Sequence, residues 1–366
     1  IDIDDETYER YNNMTGELKH KIIDSITQNE DEEYCFKLCD GKCPMLDDNG
    51  LCEIHKNLGE DYLGVVCKQF PRYSEYYGTI KESGIGLACE EAARIILSEN
   101  RPFSMETAAC DEEYEPSSEY DSSFALQIFA AREAVFKILA KESLSIHEKL
   151  IVILDMGSKI QQCINTDEYD NIKSVVNDYL KEGIAHTLDE TRNLSDSGQF
   201  EDISLQQGIR QILYPYEEME VLNPEWEVIL KDIIDSLFEQ MSDEEYNILN
   251  EEFGTYMVSR AYEYRQLLEY LVFRYFAKSI YDYDFLGKCQ MLVTNFFVIR
   301  QMDIIRWLDN HREYSFKDRM DVVHIFSRQV EYSEDNIENL YEDFIFDDIF
   351  KTDSLIAILW IDSENI

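Results

Sequence analysis

The stretch YMVSRAYEYRQLLEYLVFRYF, residues 256–276, indicates the fold class of this 366-residue chain. Its apolar and aromatic residues recur at helical spacing and occupy almost every side of the helix, as in a helix that is buried all round. Apolar residues recur at the same spacing in 124–140 and 285–308. We therefore interpret 256–276 as a central buried helix rather than a cofactor-binding segment, and we expect a mainly α protein.

Capping residues mark where several helices should begin. Ser145 and Ser242 are each followed by a glutamate three residues later, which is the pattern of a capping box. Asn223 precedes Pro224, so a capping residue is followed by proline at the first helical position. Ser315 precedes a further apolar stretch with helical spacing. These signals predict four helix starts after residue 110.

The composition changes near residue 110. Residues 1–110 are rich in cysteine, glycine and short motifs, and we predict a small cysteine-rich module there, with a β hairpin within 73–89. Residues 111–366 contain few glycines or prolines and predict a larger all-helical domain. The acidic segment 111–123 is expected to link the two. Residues 188–223 show weak periodicity and are expected to form a long connection between helices.

The charge of the chain restricts its partners. It has 33 basic and 76 acidic side chains, and its formal net charge is −43. So acidic a chain lacks the basic surface that nucleic acids and anionic membranes require. It favours partners that carry lysine or arginine, although the charge could equally serve solubility alone. No apolar run approaches the roughly 18 residues of a membrane span and no signal peptide is visible, so we expect a cytoplasmic protein.

Seven of the nine cysteines lie in the first 110 residues. An odd number of cysteines in a long acidic chain favours a metal or redox site over a secreted disulfide framework. Cys43 and Cys52 bracket the turn-forming sequence DDNG, and Cys67 and Cys89 follow. Thiolates are soft ligands that suit zinc or an iron–sulfur cluster. These four cysteines are therefore the candidate metal ligands, with a disulfide or buried thiols as the alternative.

Other potential ligands are weaker candidates. Cys35 and Cys39 precede Cys43 at four-residue intervals, which is similar to the cluster loop of radical S-adenosylmethionine enzymes except that the second interval is one residue too long. They could also be incidental. His55 follows Cys52 by three residues and could be a ligand or an ordinary surface or core histidine. The remaining cysteines are interpreted as small apolar core residues: Cys110, Cys163 and Cys289.

The cysteine segment resembles one family. CPMLDDNGLCEIHKNLGEDYLGVVCKQFPR, residues 43–72, is similar to the flagellin lysine N-methylases, the FliB-like proteins, whose N-terminal part looks like zinc- or iron-chelating cysteine-cluster proteins. LACEEAARIIL, residues 87–97, is similar to a second cysteine element of that family. Residues 269–285 and 324–333 also look like the family. The resemblance touches both halves of the chain and covers most of it.

The chain departs from the family pattern in three places. Ala88 and Glu90 flank Cys89 where the family carries serine and proline, and Glu331 is followed by Tyr332 where the family commonly has histidine. Family members also carry a further cysteine-rich stretch ahead of a segment like IDIDDETYERY, with which this chain begins. The resemblance therefore implies that part of the metal site precedes Ile1 and that the site in this chain is incomplete.

The resemblance implies an activity. It predicts methyl transfer from S-adenosylmethionine to the ε-amino group of lysines on flagellin, with a zinc or iron–sulfur centre on Cys43, Cys52, Cys67 and Cys89. A polar displacement and a radical route both remain open. A non-catalytic metal-binding or protein-interaction protein is the alternative function.

Three further residues are candidate contacts with substrate or cofactor. Arg72 follows Phe70 and Pro71 and could bind a carboxylate or form a structural salt bridge near the cysteines. Asp282 and Asp284 could hold a cationic amine, or could cap the end of a helix.

Overall fold

The structure is a computed structural model, and it describes residues 1–29, 32–39, 42–109, 121–196 and 203–364. Cys110, the predicted domain boundary beside it and residues 111–120 of the predicted linker lie outside this part. The chain divides into two compact units. The first contains Ile1–Tyr73 and Ser83–Gly86, and the second contains Ser74–Glu82 and Leu87–Ile366.

The first unit is small and mixes short helices with a hairpin. Strands β1 (Ile26–Gln28) and β2 (Tyr34–Phe36) pair in antiparallel fashion, with Ile26 opposite Phe36. A core of apolar side chains, among them Tyr11, Ile22 and Met45, fills the unit. Its helices are α1 (Asp5–Asn13), α2 (Glu17–Asp24), α3 (Glu53–Leu58) and α4 (Val65–Gln69).

A second hairpin carries the chain from one unit to the other. Strand β3 (Arg72–Tyr77) pairs with β4 (Ile80–Ile85), and Gly78 in the turn between them has φ +60°. Glycine adopts this left-handed conformation without the steric cost that a Cβ would impose. The hairpin predicted within 73–89 is therefore confirmed.

The second unit consists of helices apart from its share of this hairpin. They are α5 (Glu90–Leu97), α6 (Ser122–Leu139), α7 (Ile146–Asn165), α8 (Ile172–Asp178), α9 (Ile184–Asp196), α10 (Leu205–Glu217), α11 (Pro224–Ile233), α12 (Asp243–Met257), α13 (Ala261–Tyr275), α14 (Ser279–Asp282), α15 (Phe285–Asp309), α16 (Phe316–Val330), α17 (Glu334–Phe346) and α18 (Thr352–Glu364). The mainly α class predicted from the sequence is confirmed.

Helix α15 is the centre of the second unit. It packs against α7, α11, α13 and α16, and nearly all of its side chains are buried. The stretch 256–276 is also largely helical and buried, although a 3₁₀ turn at Val258–Arg260 divides it between α12 and α13. The prediction of a buried helix is confirmed, and the more central position belongs to α15.

The predicted helix starts are confirmed. Ser145 accepts a hydrogen bond from the Glu148 N–H while the Glu148 carboxylate accepts one from the Ser145 N–H, and a capping box of the same kind starts α12 at Ser242. Asn223 caps α11 with Pro224 in its first turn, and Ser315 caps α16. Local side-chain chemistry therefore defines these boundaries without help from distant contacts.

The long connection predicted for 188–223 is wrong. Helix α9 continues to Asp196, and α10 begins at Leu205 with buried Leu205, Ile209 and Ile212 along one face. The window combined the polar end of one helix with the amphipathic start of another, which hid the period of both. The β1–β2 hairpin was not predicted, because three-residue strands are too short to show an alternating pattern.

None of the helices in the described part is long and apolar enough to cross a membrane.

Candidate functional site

The first three candidate cysteines belong to the first unit, where a tight turn precedes the second of them. The Asp47 carboxylate accepts hydrogen bonds from the N–H groups of Asn49 and Leu51 at 2.9 and 3.0 Å, and Gly50 has φ +75°. The hydrogen bond from Lys56 and those two N–H groups lower the pKa of Asp47 to about 2. This turn reverses the chain, so that Leu46 forms a bridge to Cys52.

Cys43, Cys52 and Cys67 are close enough for the charge on one thiol to affect the pKa of another. Each is half-buried; Cys52 precedes the first residue of α3 and Cys67 lies in α4. Burial raises the pKa of the Cys67 thiol, and negative charge on Cys43 or Cys52 raises it further. Burial and Cys52 likewise raise the pKa of Cys43. The thiols of Cys43 and Cys67 are therefore protonated at neutral pH unless a cation binds beside them.

The arrangement of these side chains does not by itself form a metal site. Within the described residues, no group of three or more histidine, cysteine, aspartate or glutamate side chains is placed so that it could hold a metal ion. The described cysteines are free thiols.

The weaker candidates of the first unit occupy varied positions. Cys35 is in β2 opposite Thr27, and Cys39 is exposed and bridges to Lys42. His55 lies on the exposed side of α3, and Arg72 is the exposed first residue of β3. Whether any of them touches a ligand stays a prediction.

Asp282 and Asp284 surround a lysine of the chain itself. The Lys288 Nζ lies 2.6 Å from the Asp282 carboxylate and 3.9 Å from that of Asp284. Lys288 is 2% exposed, and its Nζ is 4.0 Å from the centre of the Tyr341 ring. Asp284 also caps α15 through the Gly287 N–H. These carboxylates thus bind an internal ammonium group and cap a helix, and a role towards a substrate amine stays a prediction.

A buried charged cluster that the sequence analysis missed lies on α13 and at the end of α16. The Glu331 Oε2 atom accepts hydrogen bonds from the hydroxyls of Tyr270 and Tyr275 at 2.9 and 3.0 Å. Arg274 Nη1 lies 3.2 Å from the same oxygen and donates to the Tyr270 hydroxyl at 2.6 Å. We call Tyr270, Arg274, Tyr275 and Glu331 the Glu331 cluster.

Burial shapes the electrostatics of the Glu331 cluster. Burial alone would lower the pKa of Arg274, but its attraction to Glu331 outweighs that effect and the pKa lies above its usual value. Burial raises the pKa of Tyr275, and the charge of Glu331 raises it further. The Tyr275 hydroxyl therefore stays protonated near neutral pH and donates to the carboxylate that pairs with Arg274.

Glu331 differs from the other buried carboxylates in its second oxygen. Glu331 Oε1 is buried and has no hydrogen-bond partner among the described residues, whereas both carboxylate oxygens of Glu263, Asp303 and Asp362 are partnered. A buried acceptor without a donor costs about 1–3 kcal/mol, and more when it is charged. Other buried polar atoms of the second unit also lack a partner, Asn247 Oδ1 and Gln266 Oε1 among them, but among the described residues Glu331 Oε1 is the carboxylate oxygen in this group.

Cys89 lies beside this cluster. It precedes the first residue of α5, which packs against α13 and α16. The Leu87 N–H donates to the Tyr270 hydroxyl at 3.4 Å, and His324 on α16 hydrogen-bonds to the backbone of Ala88. Tyr332 is 46% exposed, and its pKa is raised first by burial and then by the charges of Glu331 and Cys89. The fold therefore brings residues from 87–97, 269–285 and 324–333 to one place.

One signal for this cluster was present in the sequence. Arg274 stands in an almost continuous run of apolar and aromatic residues, and a charged residue in a buried helix needs a buried partner. The partner is 57 positions further on, from 274 to 331, so spacing along the chain could not identify it.

Curated proteins with similar sequences come from flagellar and lysine-methylation systems. The chain is 37% identical over 59 residues to the flagellar biosynthetic protein FliU of Salmonella muenchen. Those 59 residues are 16% of this chain and 35% of that protein. The same identity over 59 residues relates it to the lysine-N-methylase of Salmonella typhimurium, 15% of whose length is covered. The match thus spans about a third or less of these relatives. No solved structure gave a significant match.

A family comparison covers more of the chain. The model of the FliB lysine N-methylase C-terminal domain matches residues 132–358, more than half of the 366 residues. The matched part includes α13 and α16 and therefore every residue of the Glu331 cluster. The chain belongs to the FliB lysine N-methylase C-terminal domain family.

Proposed function

We propose that this chain methylates the ε-amino groups of lysine side chains on a protein, with S-adenosylmethionine as methyl donor and flagellin as substrate. The observation that carries the proposal is the family match over residues 132–358. The names of the similar curated proteins, a flagellar biosynthetic protein and lysine-N-methylases, support the substrate and the reaction.

Methyl transfer to lysine requires a bound methyl donor and a neutral acceptor amine. S-adenosylmethionine supplies a methyl group on a positively charged sulfur. In a polar transfer the lone pair of the lysine nitrogen would form the new N–C bond while the C–S bond breaks with its electrons going to sulfur, and the resulting ammonium would release its proton to water. The lysine must enter as a neutral amine, which a desolvated site near a positive charge favours.

The Glu331 cluster offers such an environment. It is buried, it holds the fixed positive charge of Arg274, and tyrosine rings surround that charge. The unpartnered Glu331 Oε1 can accept an N–H from a ligand. Electron-rich ring faces also attract sulfonium and methylammonium groups. These features support the Glu331 cluster as part of the methyl-transfer site.

We also propose that Cys43, Cys52 and Cys67 bind zinc or an iron–sulfur cluster. This part rests on the family resemblance and on the softness of thiolate ligands. Metal content and absorption spectra of the anaerobically purified chain test it. We expect Cys43→Ser, Cys52→Ser and Cys67→Ser together to abolish metal binding and Cys163→Ser to leave it unchanged. Equal metal content in all of these variants would contradict the assignment.

The test of the methylation itself is co-expression with flagellin followed by mass spectrometry of the flagellin peptides. We expect mass increments of one or more methyl groups on lysine-containing peptides only. Flagellin with its modified lysines changed to arginine is the matched control, because it keeps the charge and lacks the acceptor amine. An unmodified wild-type flagellin would reject the proposal and favour a non-catalytic binding protein.

A further inference from the structure

We propose that Glu331 positions the substrate amine: its Oε1 atom accepts a hydrogen bond from the ε-amino group of the lysine that is to be methylated. This inference rests on the proposed lysine methylation and adds the residue that recognises the acceptor. Its ligand class is a primary alkylamine on a flexible chain.

The first argument is the asymmetry of the Glu331 carboxylate. Two phenol hydroxyls and the Arg274 guanidinium all converge on Oε2, at 2.9, 3.0 and 3.2 Å. Oε1 is equally buried and receives no donor from the described residues. The chain thus orients the carboxylate firmly through one oxygen and leaves the other available. Most buried polar groups in native proteins are paired. Of the unpartnered buried atoms among the described residues, Glu331 Oε1 is the one on a carboxylate, where a missing hydrogen bond costs most, so it points to a donor from outside the chain.

The second argument is the comparison with Glu263. Glu263 is also a buried glutamate in an arginine pair, and it is 1% exposed. Arg260 donates to both of its oxygens at 2.7 and 3.0 Å, and Arg319 donates to Oε2 at 3.0 Å. The fold can therefore satisfy both oxygens of a buried glutamate. It does so at Glu263 and not at Glu331.

The third argument is the charge of the site. Arg274 already neutralises Glu331, so an added ammonium group would meet no net negative charge. A neutral amine can donate one N–H to Oε1 and keep its lone pair for the methyl group. Desolvation and the nearby guanidinium both favour this neutral form. The arrangement suits an amine that must act as a nucleophile.

The fourth argument is the position of the cluster below the surface. Tyr332, the next residue after Glu331, is 46% exposed, and its ring centre lies 5.9 Å from the Arg274 guanidinium carbon. The cluster therefore lies one side chain below the surface. A lysine side chain is long and thin enough to reach such a depth while its backbone stays outside.

The test compares Glu331→Gln with Glu263→Gln, two isosteric changes in buried arginine pairs. The probe is n-butylamine, which carries the end of a lysine side chain, and binding to the folded chain is followed by NMR titration. The amide of Glu331→Gln keeps an oxygen for Arg274 and presents N–H groups to the amine. We expect binding to weaken by about tenfold to a hundredfold, since a hydrogen bond to a charged acceptor is lost. Glu263→Gln should leave binding unchanged.

Two further measurements separate the possible outcomes. Titration with S-adenosylmethionine should give the same affinity in both variants and in the wild type. Selective weakening of S-adenosylmethionine binding in Glu331→Gln would overturn the inference, because it would place the amino group of the methyl donor at Oε1. Equal butylamine binding by Glu331→Gln and Glu263→Gln would overturn it as well. Butylamine binding that depends on Glu331 in a chain that does not methylate flagellin would reject the proposed function and reduce this inference to an alkylamine-binding site.

Discussion

At the scale of single residues, the buried carboxylates of the second unit differ in whether both of their oxygens have hydrogen-bond partners. The carboxylates of Glu263, Asp303 and Asp362 have partners on both oxygens, as expected when an ion pair is removed from water. Glu331 has partners on one oxygen only. The number of satisfied lone pairs, rather than burial, therefore distinguishes the candidate functional carboxylate.

The hydroxyl of Tyr275 should contribute to stability through Glu331. Tyr275→Phe removes one of the donors to Oε2 and leaves a buried carboxylate less well paired. We expect the free energy of unfolding to fall by about 1–3 kcal/mol in urea denaturation. Tyr214→Phe is the control, because Tyr214 is 52% exposed and its hydroxyl contacts only Glu218 among the described pairs, so its change should be small. Equal losses for the two variants would show that the Tyr275 hydrogen bond adds nothing.

Asp362 should make stability depend on pH in acid. Burial raises the pKa of Asp362, but Arg300 and His147 outweigh that effect and the pKa lies below its usual value. A carboxylate with a lowered pKa stabilises the fold above its unfolded pKa, about 3.9, and the contribution disappears as the pH falls through the folded value. We expect Asp362→Asn to cost about 3–5 kcal/mol at pH 7, because it leaves the buried Arg300 guanidinium without its counter-charge.

The measurement is urea denaturation of the wild type and of Asp362→Asn at a series of pH values. The difference in unfolding free energy should stay constant from pH 7 down to about 4.5 and should shrink below about pH 4. A difference that remained constant throughout the acid range would contradict the assigned direction of the pKa shift.

At the scale of elements, capping residues define helix ends independently of the core. Helix α16 carries His324 and leads directly into Glu331, and it begins with the capping box of Ser315 and Asp318. Such a box satisfies backbone donors that the helix cannot satisfy itself.

Removing this cap should therefore destabilise α16 without touching the Glu331 cluster. We expect Ser315→Ala to reduce the free energy of unfolding by about 1 kcal/mol. Ser143→Ala, at an exposed position outside a helix, is the control. The affinity for butylamine should be equal in both variants once the folded fraction is taken into account. An unchanged stability of Ser315→Ala would contradict the importance of the cap.

The same local chemistry explains which elements were predicted. Ser145, Ser242 and Asn223 act on N–H groups two or three residues away, so a short window of sequence contains the whole interaction. The turn before Cys52 is local for the same reason, since Asp47 binds Asn49 and Leu51. Helix α10 was missed because its period was averaged with that of a polar neighbour.

At the scale of the whole molecule, the net charge of −43 should act over long distances. An acidic field attracts a substrate that presents lysine, and salt screens it over about 10 Å at 0.1 M ionic strength. We expect KM for flagellin to rise with salt while KM for S-adenosylmethionine changes little. Potassium chloride and potassium acetate at equal ionic strength are the controls for specific ions. A KM for flagellin that does not depend on salt would refute electrostatic capture.

The sequence alone determined the helical class, the capped helix ends, the β3–β4 hairpin and the turn between Cys43 and Cys52, because each depends on residues close together in the chain. It also carried the family resemblance. Only the tertiary structure paired Arg274 with Glu331 and placed Cys89 beside them. It likewise showed that Asp282 and Asp284 hold the internal Lys288. These contacts join distant parts of the chain, and whether a buried charge is satisfied is decided only when the helices have packed.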